Sequence, residues 1–301
     1  MAYPERVRIY EVGPRDGLQN EKQLIPTAIK LELIKRLKEA GLTMIEATSF
    51  VSPKWVPQMA DHTEIMQALS AQSDQDVTYP VLTPNIKGYD AALAAGAKEC
   101  AVFAAASESF SQKNINCSID ESIQRFSDVM VKANAHNIPI RGYISCITAC
   151  PYEGRIEPQA VLDVAHKLLD MGCYEISLGD TIGQATPKDI TTLLDLLLQE
   201  IPAIKLALHC HDTYGQALAN IHTGVQMGIT TIDSSIAGLG GCPYAQGASG
   251  NVATEDVVYM LHGCGVNTGL DLTRLIESAW YISSALNRQP SSKVSLALKP
   301  S

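Results

Sequence analysis

The chain has 301 residues, 46% hydrophobic and 18% charged, which is globular and sufficient for a large core. Its 32 acidic and 23 basic residues give a net charge of -9, which argues against nonspecific nucleic-acid binding, so an anionic small ligand would need a local basic pocket. No apolar run is long enough to span a bilayer, which argues against a membrane-spanning helical protein.

Strand-like apolar runs begin near Val7-Ile9, Met44-Ala47, Val77-Leu82, Glu99-Phe103, Ile140-Ser145, Tyr174-Leu178, Lys205-His209 and Thr231-Ser235. Helical patterns lie between them, at the spacing of βα units. Ile29, Leu33 and Leu37 recur at spacing four, and Gly41 is placed to end that helix. Ser118 and Glu121 have the spacing of a capping box ahead of a helix that ends near His136. Val161, Ala165 and Leu168 give a further apolar stripe closed by Gly172, and Thr186, Pro187 and Asp189 open the next helix. His136, His166 and His262 sit late in helices, where a cation suits the C-terminal dipole. Eight alternating units, with no Gly-x-Gly-x-x-Gly turn after the first strand, predict a (β/α)8 TIM barrel rather than a doubly wound sheet. One catalytic domain is expected over residues 1–301, with an extra helical segment at about 270–287.

The chain opens into a strand-like segment without an apolar leader, and Leu298-Lys299-Pro300-Ser301 is not a peroxisomal tail. Cytoplasm is therefore the expected compartment, and a processed mitochondrial-matrix protein would read the same. The eight cysteines are scattered through apolar segments, as small buried hydrophobes in a reducing compartment are. Cys146-x-x-x-Cys150 lacks a second pair for a structural zinc site.

Barrel chemistry gathers at the C-terminal ends of strands, and the unusual residues of this chain fall there. His209 and His211 flank Cys210 at the end of a buried strand, so the two imidazoles face one way and the thiol the other. Arg15 and Asp16 follow the first strand, Glu46 ends the second and Asp180 follows the sixth. An Asp, two His and an Asn amide oxygen form a mixed O/N set suited to Mg²⁺ or Mn²⁺. Asp180 reads equally as a helix N-terminal acid, and Glu46 as a partner that orients an Arg. A glycine-rich stretch, 238–251, carries Cys242, either a proton donor or acceptor or an inert loop thiol.

Glu11-Val12-Gly13-Pro14-Arg15-Asp16-Gly17-Leu18-Gln19-Asn20 resembles the opening motif of the 3-hydroxy-3-methylglutaryl-CoA lyase family. Ile45-Glu46-Ala47-Thr48-Ser49-Phe50-Val51-Ser52-Pro53-Lys54 is similar to its second-strand segment. Gly240-Gly241-Cys242-Pro243-Tyr244-Ala245 and Gly247-Ala248-Ser249-Gly250-Asn251 resemble its cysteine loop and asparagine motif. The likeness runs over nearly the whole chain and implies membership of a wider group of metal-dependent barrel lyases and condensing enzymes. It implies cleavage of the 3-hydroxy-3-methylglutaryl thioester to acetyl-CoA and acetoacetate, a step of leucine catabolism and ketone-body formation. By motif, Asp16, His209, His211 and Asn251 would bind Mg²⁺ or Mn²⁺, and Arg15, Asp16, Glu46, His209 and Cys242 would surround the chemistry.

The expected partners are thus an acyl-CoA substrate and a divalent cation, with neither nucleic acid nor membrane, and a homodimer as the candidate assembly. Asp16 and His209 both stand as the base for the 3-hydroxyl proton. Lys22 and Lys113, placed near the mouth, read either as holding the anionic CoA or as solvated lysines. Three rival readings stand: a condensing enzyme of the isopropylmalate or homocitrate synthase kind, a lyase for a longer branched 3-hydroxyglutaryl thioester, and a silent metal-binding scaffold. The condensing enzymes usually continue into further C-terminal domains, and the cysteine loop speaks for the lyase.

Overall fold

The computed structural model describes residues 3–72, 76–241 and 250–300. Eight short parallel strands form its centre: β1 (Arg8–Glu11), β2 (Thr48–Ser49), β3 (Val81–Leu82), β4 (Cys100–Ala105), β5 (Ile140–Ser145), β6 (Ile176–Asp180), β7 (Leu206–Cys210) and β8 (Thr231–Ser234). Their order around the sheet is β1-β8-β7-β6-β5-β4-β3-β2, every neighbour parallel. The ring closes where Glu11 bridges Ile45, with the Glu46 N–H donating to the Glu11 carbonyl at 2.8 Å. This is the expected (β/α)8 barrel.

Two strands are shorter than their apolar runs. Segment 77–82 contains Pro80, which has no N–H for a ladder, and the regular pairing reduces to Val81–Leu82 with a separate bridge at Thr78. Met44–Ala47 pairs through single bridges to β1 and to the third segment, and the regular β2 ladder begins at Thr48. A small antiparallel hairpin, Ala149–Cys150 with Gly154–Arg155, interrupts the connection after β5 and was not foreseen.

The helices follow the periodicity. Thr27–Glu39 buries Leu33, Ile34 and Leu37, and Gly41 takes a φ of +99° as the chain leaves it. The extra helical segment is a helix, Leu272–Ala285, packed against Thr27–Glu39. Among the described residues no helix is long and apolar enough to cross a membrane. The capping box is formed: the Glu121 N–H donates to Ser118 Oγ at 3.1 Å, and the Ser118 N–H donates to Glu121 Oε2 at 2.8 Å. Ser118→Ala removes one of these acceptors and is expected to cost about 1 kcal/mol, read as a lower urea midpoint at constant slope.

Inside the ring, side chains alternate, and the interior is charged rather than uniformly aliphatic. Arg141 on β5 is fully buried and donates from Nη1 and Nη2 to the two oxygens of Asp233 on β8, at 3.0 and 2.7 Å. Its Nε donates to Glu175 at 2.8 Å, and its guanidinium lies 3.9 Å from the ring centre of Tyr10. Every charge in this layer has an opposite partner, the condition under which a protein interior tolerates ions.

Candidate active site

Val12 leads from β1 into a wide five-residue turn, Gly13–Gly17, that aims Arg15 and Asp16 at the barrel mouth. The turn requires its glycines. A Cβ on Gly13 would sit 2.5 Å from Glu11 Oε1 and 2.9 Å from Ile236 Cγ2, and one on Gly17 would sit 2.5 Å from Ser235 Oγ. The buried Glu11 carboxylate ties this turn to the segment after β8, accepting from the backbone N–H groups of Gly13 and Ile236, both at 2.8 Å, and from Thr254 Oγ1 at 2.6 Å. Burial pushes the Glu11 carboxyl up to about 7.

Arg15 is clamped between two carboxylates. Its Nε donates to Glu46 Oε2 at 2.8 Å and its Nη1 to Asp16 Oδ1 at 2.6 Å. Burial raises the pKa of Glu46, and Arg15 offsets only part of that rise. The geometry agrees with the reading in which Glu46 orients an Arg.

At the end of β7 the period-two argument holds. His209 and His211 face the barrel axis with Nε2 atoms 3.3 Å apart, and Cys210 is buried in the outer apolar core. Asp16 joins them, its Oδ2 3.8 Å from His209 Nε2. Ligand atoms of these three residues lie within 4.8 Å of one another, and among the described residues this is the one such His/Cys/Asp/Glu group. Asn251 completes the cluster, bridged to the backbone of His211, with Nδ2 donating to Asp16 Oδ2 at 2.7 Å and to the Leu239 carbonyl at 3.2 Å.

Protonation suits a divalent cation. Burial pushes Asp16 up, but Arg15 and the two histidines outweigh it and hold the carboxyl at about 2. Burial, aided by His209, lowers His211 to about 4, so at neutral pH it presents a neutral ring. His209 Nδ1 lies 3.3 Å from Asp233 Oδ2, an acceptor that Arg141 and Ser177 hold in place. With Nδ1 donating to that carboxylate, Nε2 is directed into the cluster, as in carboxylate–histidine–metal arrangements; burial lowers the pKa of this ring, but Asp233 and Asp16 outweigh burial and raise it, so a cation would bind there in competition with a proton. One carboxylate and two imidazole nitrogens on rigid elements fit a hard or borderline divalent ion.

The cluster opens into a cavity of about 730 Å³ whose wall includes Arg15, Asp16, His209, His211 and Tyr143. Lys113 lines this cavity, whereas Lys22 is exposed and does not. Asp180 faces outward from β6, accepting from the Ala185 N–H at 3.1 Å and from Thr148 Oγ1 at 3.4 Å. Burial raises its carboxyl to about 6. Its contacts are those of a residue that shapes the β6 turn. Cys242 lies outside the described residues. Sequence reasoning passed over Arg141, Tyr143 and Asp233, yet a charged or phenolic residue at alternate positions of a buried run was a readable signal.

The first turn after β8 is conformationally unusual. Ala237 has φ 59° and ψ 9°, a left-handed conformation that an alanine adopts only at a cost. Glu255 Oε2 accepts its N–H at 2.9 Å, and Glu255 Oε1 accepts from Ser295 Oγ at 2.7 Å. Burial raises Glu255 to about 8.

Comparison with known proteins gives concordant matches. The HMGL-like family profile matches residues 6–282. The chain is 61% identical, over 98% of its length and 90% of the relative's, to hydroxymethylglutaryl-CoA lyase, mitochondrial, of Bos taurus. It is 60% identical, over 98% of its length and 85% of the relative's, to 3-hydroxy-3-methylglutaryl-CoA lyase, cytoplasmic, of Mus musculus. The crystal structure of hydroxymethylglutaryl-CoA lyase from Pseudomonas aeruginosa superposes with a TM-score of 0.96 at 53% identity, covering 99% of both chains.

The Glu255 carboxyl holds its proton in the folded chain up to about pH 8 and releases it near pH 4.5 when unfolded. Its contribution to stability is therefore full below pH 4.5 and lost as pH rises through 8. Glu255→Gln is expected to flatten the decline in stability between pH 5 and pH 8 by a few kcal/mol, at about 1.4 kcal/mol per pH unit. Urea unfolding of both proteins at the two pH values measures it, and parallel declines would contradict it.

Proposed function

The chain belongs to the HMGL-like family, and we propose that it is a hydroxymethylglutaryl-CoA lyase, cleaving 3-hydroxy-3-methylglutaryl-CoA to acetyl-CoA and acetoacetate. The observation that carries this reading is the meeting of Asp16, His209 and His211 beside Arg15, on the wall of a cavity of ligand size. The reaction holds in either compartment named for the relatives.

Cleavage breaks the C2–C3 bond. The 3-hydroxyl loses its proton, the bond pair stays on C2 as a thioester enolate, and C3 becomes the keto carbon of acetoacetate. Asp16, His209 and His211 would hold Mg²⁺ or Mn²⁺, which when bound supplies Lewis acidity toward the hydroxyl and carboxylate oxygens of the substrate. Asn251 fixes Asp16 through Nδ2, and its Oδ1 would be available to the cation as a further oxygen ligand.

A lone pair on His209 Nε2 that holds a cation is not free for a proton, so His209 does not fill both roles. Asp16 has a second carboxylate oxygen, and we assign the 3-hydroxyl proton to it. Arg15 and the two imidazoles, outweighing burial, hold the Asp16 carboxyl at about 2, so it is ionised at neutral pH and able to accept a proton. Arg15 is fixed by Glu46 and directs its charge at the thioester oxygen, an electrostatic contribution of roughly 3 kcal/mol by analogy with oxyanion donors. Cys242 returns a proton to C2 once the bond has broken. Lys113, on the cavity wall, is assigned to the anionic CoA. Lys22 is not carried into the site.

Mass-spectrometric product analysis with the 3-hydroxy-3-methylglutaryl thioester should show acetyl-CoA and acetoacetate in equal amounts with Mg²⁺, and neither after chelation. Intact thioester with the cation present sinks the reading. Two substitutions separate the roles. His211→Ala is expected to weaken Mn²⁺ affinity by at least about tenfold. Cys242→Ser should leave the Mn²⁺ titration unchanged and reduce kcat by about 100-fold or more, the span of general acid–base catalysis. Near-normal turnover of the serine variant removes Cys242 from the mechanism.

A further inference from the structure

Tyr143 projects from β5 into the barrel, one layer nearer the mouth than Arg141. Its ring forms part of the cavity wall, with the Arg15 guanidinium carbon 5.5 Å from the ring centre and the His209 ring meeting it edge-on at 6.3 Å. The residue is only 8% exposed, and among the described residues its hydroxyl has no hydrogen-bond partner. Of its neighbours, Leu82, Ala101 and Phe103 are apolar and offer none, and the Arg141 guanidinium carbon lies 5.1 Å from its ring centre. A buried hydroxyl left unpaired is costly, and folded proteins keep few of them. Glu46 Oε1, the carboxylate oxygen that Arg15 does not use, also has no partner among the described residues. Among the described residues, a phenolic hydroxyl beside a clamped guanidinium, in the wall of the cavity, thus has no internal acceptor.

Resting on the lyase reading, we propose that the Tyr143 hydroxyl donates a hydrogen bond to the thioester oxygen of the bound acyl group, as a second donor beside Arg15. The 3-hydroxyl and carboxylate oxygens belong to the Asp16–His209–His211 cluster, which leaves the thioester oxygen as the acceptor on which negative charge grows. No proton is transferred: the O–H strengthens its bond as the enolate forms and relaxes when C2 is protonated. A donor of this kind acts on kcat more than on KM.

Tyr143→Phe deletes one oxygen and keeps the ring contacts. The expected result is a fall in kcat of about 10- to 100-fold with KM changed less than about threefold, the range for a lost charge-assisted bond. The melting temperature and the Mn²⁺ titration should stay at parent values, because the free protein loses no internal hydrogen bond. A kcat within about twofold of the parent overturns the assignment and leaves at most a water on the hydroxyl. A lowered melting temperature overturns it in favour of a structural role, and a loss confined to KM overturns the placement on the enolate oxygen. The parent is assayed alongside: a parent inactive on this thioester rejects the lyase reading and the assignment with it, whereas an active parent and an equally active variant reject the assignment alone.

Discussion

The site depends on the closure of the barrel between β1 and its neighbours. Because β1 pairs in register with β8 and bridges to Ile45, the Gly13–Gly17 turn comes to lie over the ends of β7 and β8. Without that closure Asp16 and the two imidazoles, remote in sequence, would have no common place. Glu11 enforces it locally with a single carboxylate that accepts from Gly13, Ile236 and Thr254. The residue that ends the first strand thereby sets the spacing between the turn bearing Arg15 and the segment that leads toward Asn251.

Beneath this rim the interior is built to control one imidazole. Arg141 fixes Asp233, Asp233 meets His209 Nδ1, and the other nitrogen of His209 faces the Asp16 carboxylate. Burial lowers the proton affinity of His209, and the Asp233 contact with the nearby carboxylates outweighs it, so the net shift is upward. On Asp233 the same contest runs the other way: burial favours the neutral carboxyl, and Arg141 and His209 hold the proton off. A fully paired charged layer costs desolvation, which a purely aliphatic barrel would avoid. Its return here is a fixed imidazole orientation at the floor of the cavity.

Much of this was legible in the sequence, for identifiable reasons. The eight βα units showed because each strand is a short apolar run and each helix has a stripe and a punctuating residue, as in Leu33, Leu37 and Gly41. The facing of His209 and His211 followed from strand alternation alone. The capping box at Ser118 and Glu121 was local and therefore readable. What was not legible depended on partners distant in the chain. The loss of ladder around Pro80 required weighing one missing N–H against an apolar run. Whether Glu46 acts or orients turned on Arg15, thirty-one residues away, donating to it. Asp180 faces outward although it stands at a strand end, because Glu175 and Ser177 fix the inward register of β6. Arg141, Tyr143 and Asp233 belong with these, because the carboxylate that pairs with Arg141 stands on another strand, ninety-two residues on.

The Ala237 turn has a practical corollary for anyone handling the protein. Its left-handed backbone is secured by Glu255, and Glu255 in turn holds Ser295 in the short helix Lys293–Ala297, whose start is pinned by Asp256. Material near the tail is therefore wired to the floor of the glycine-rich loop by two successive hydrogen bonds. Deleting the helix Lys293–Ala297 would take the Ser295 contact from Glu255, the residue that holds the Ala237 N–H, so a shortened form of the protein should keep that helix.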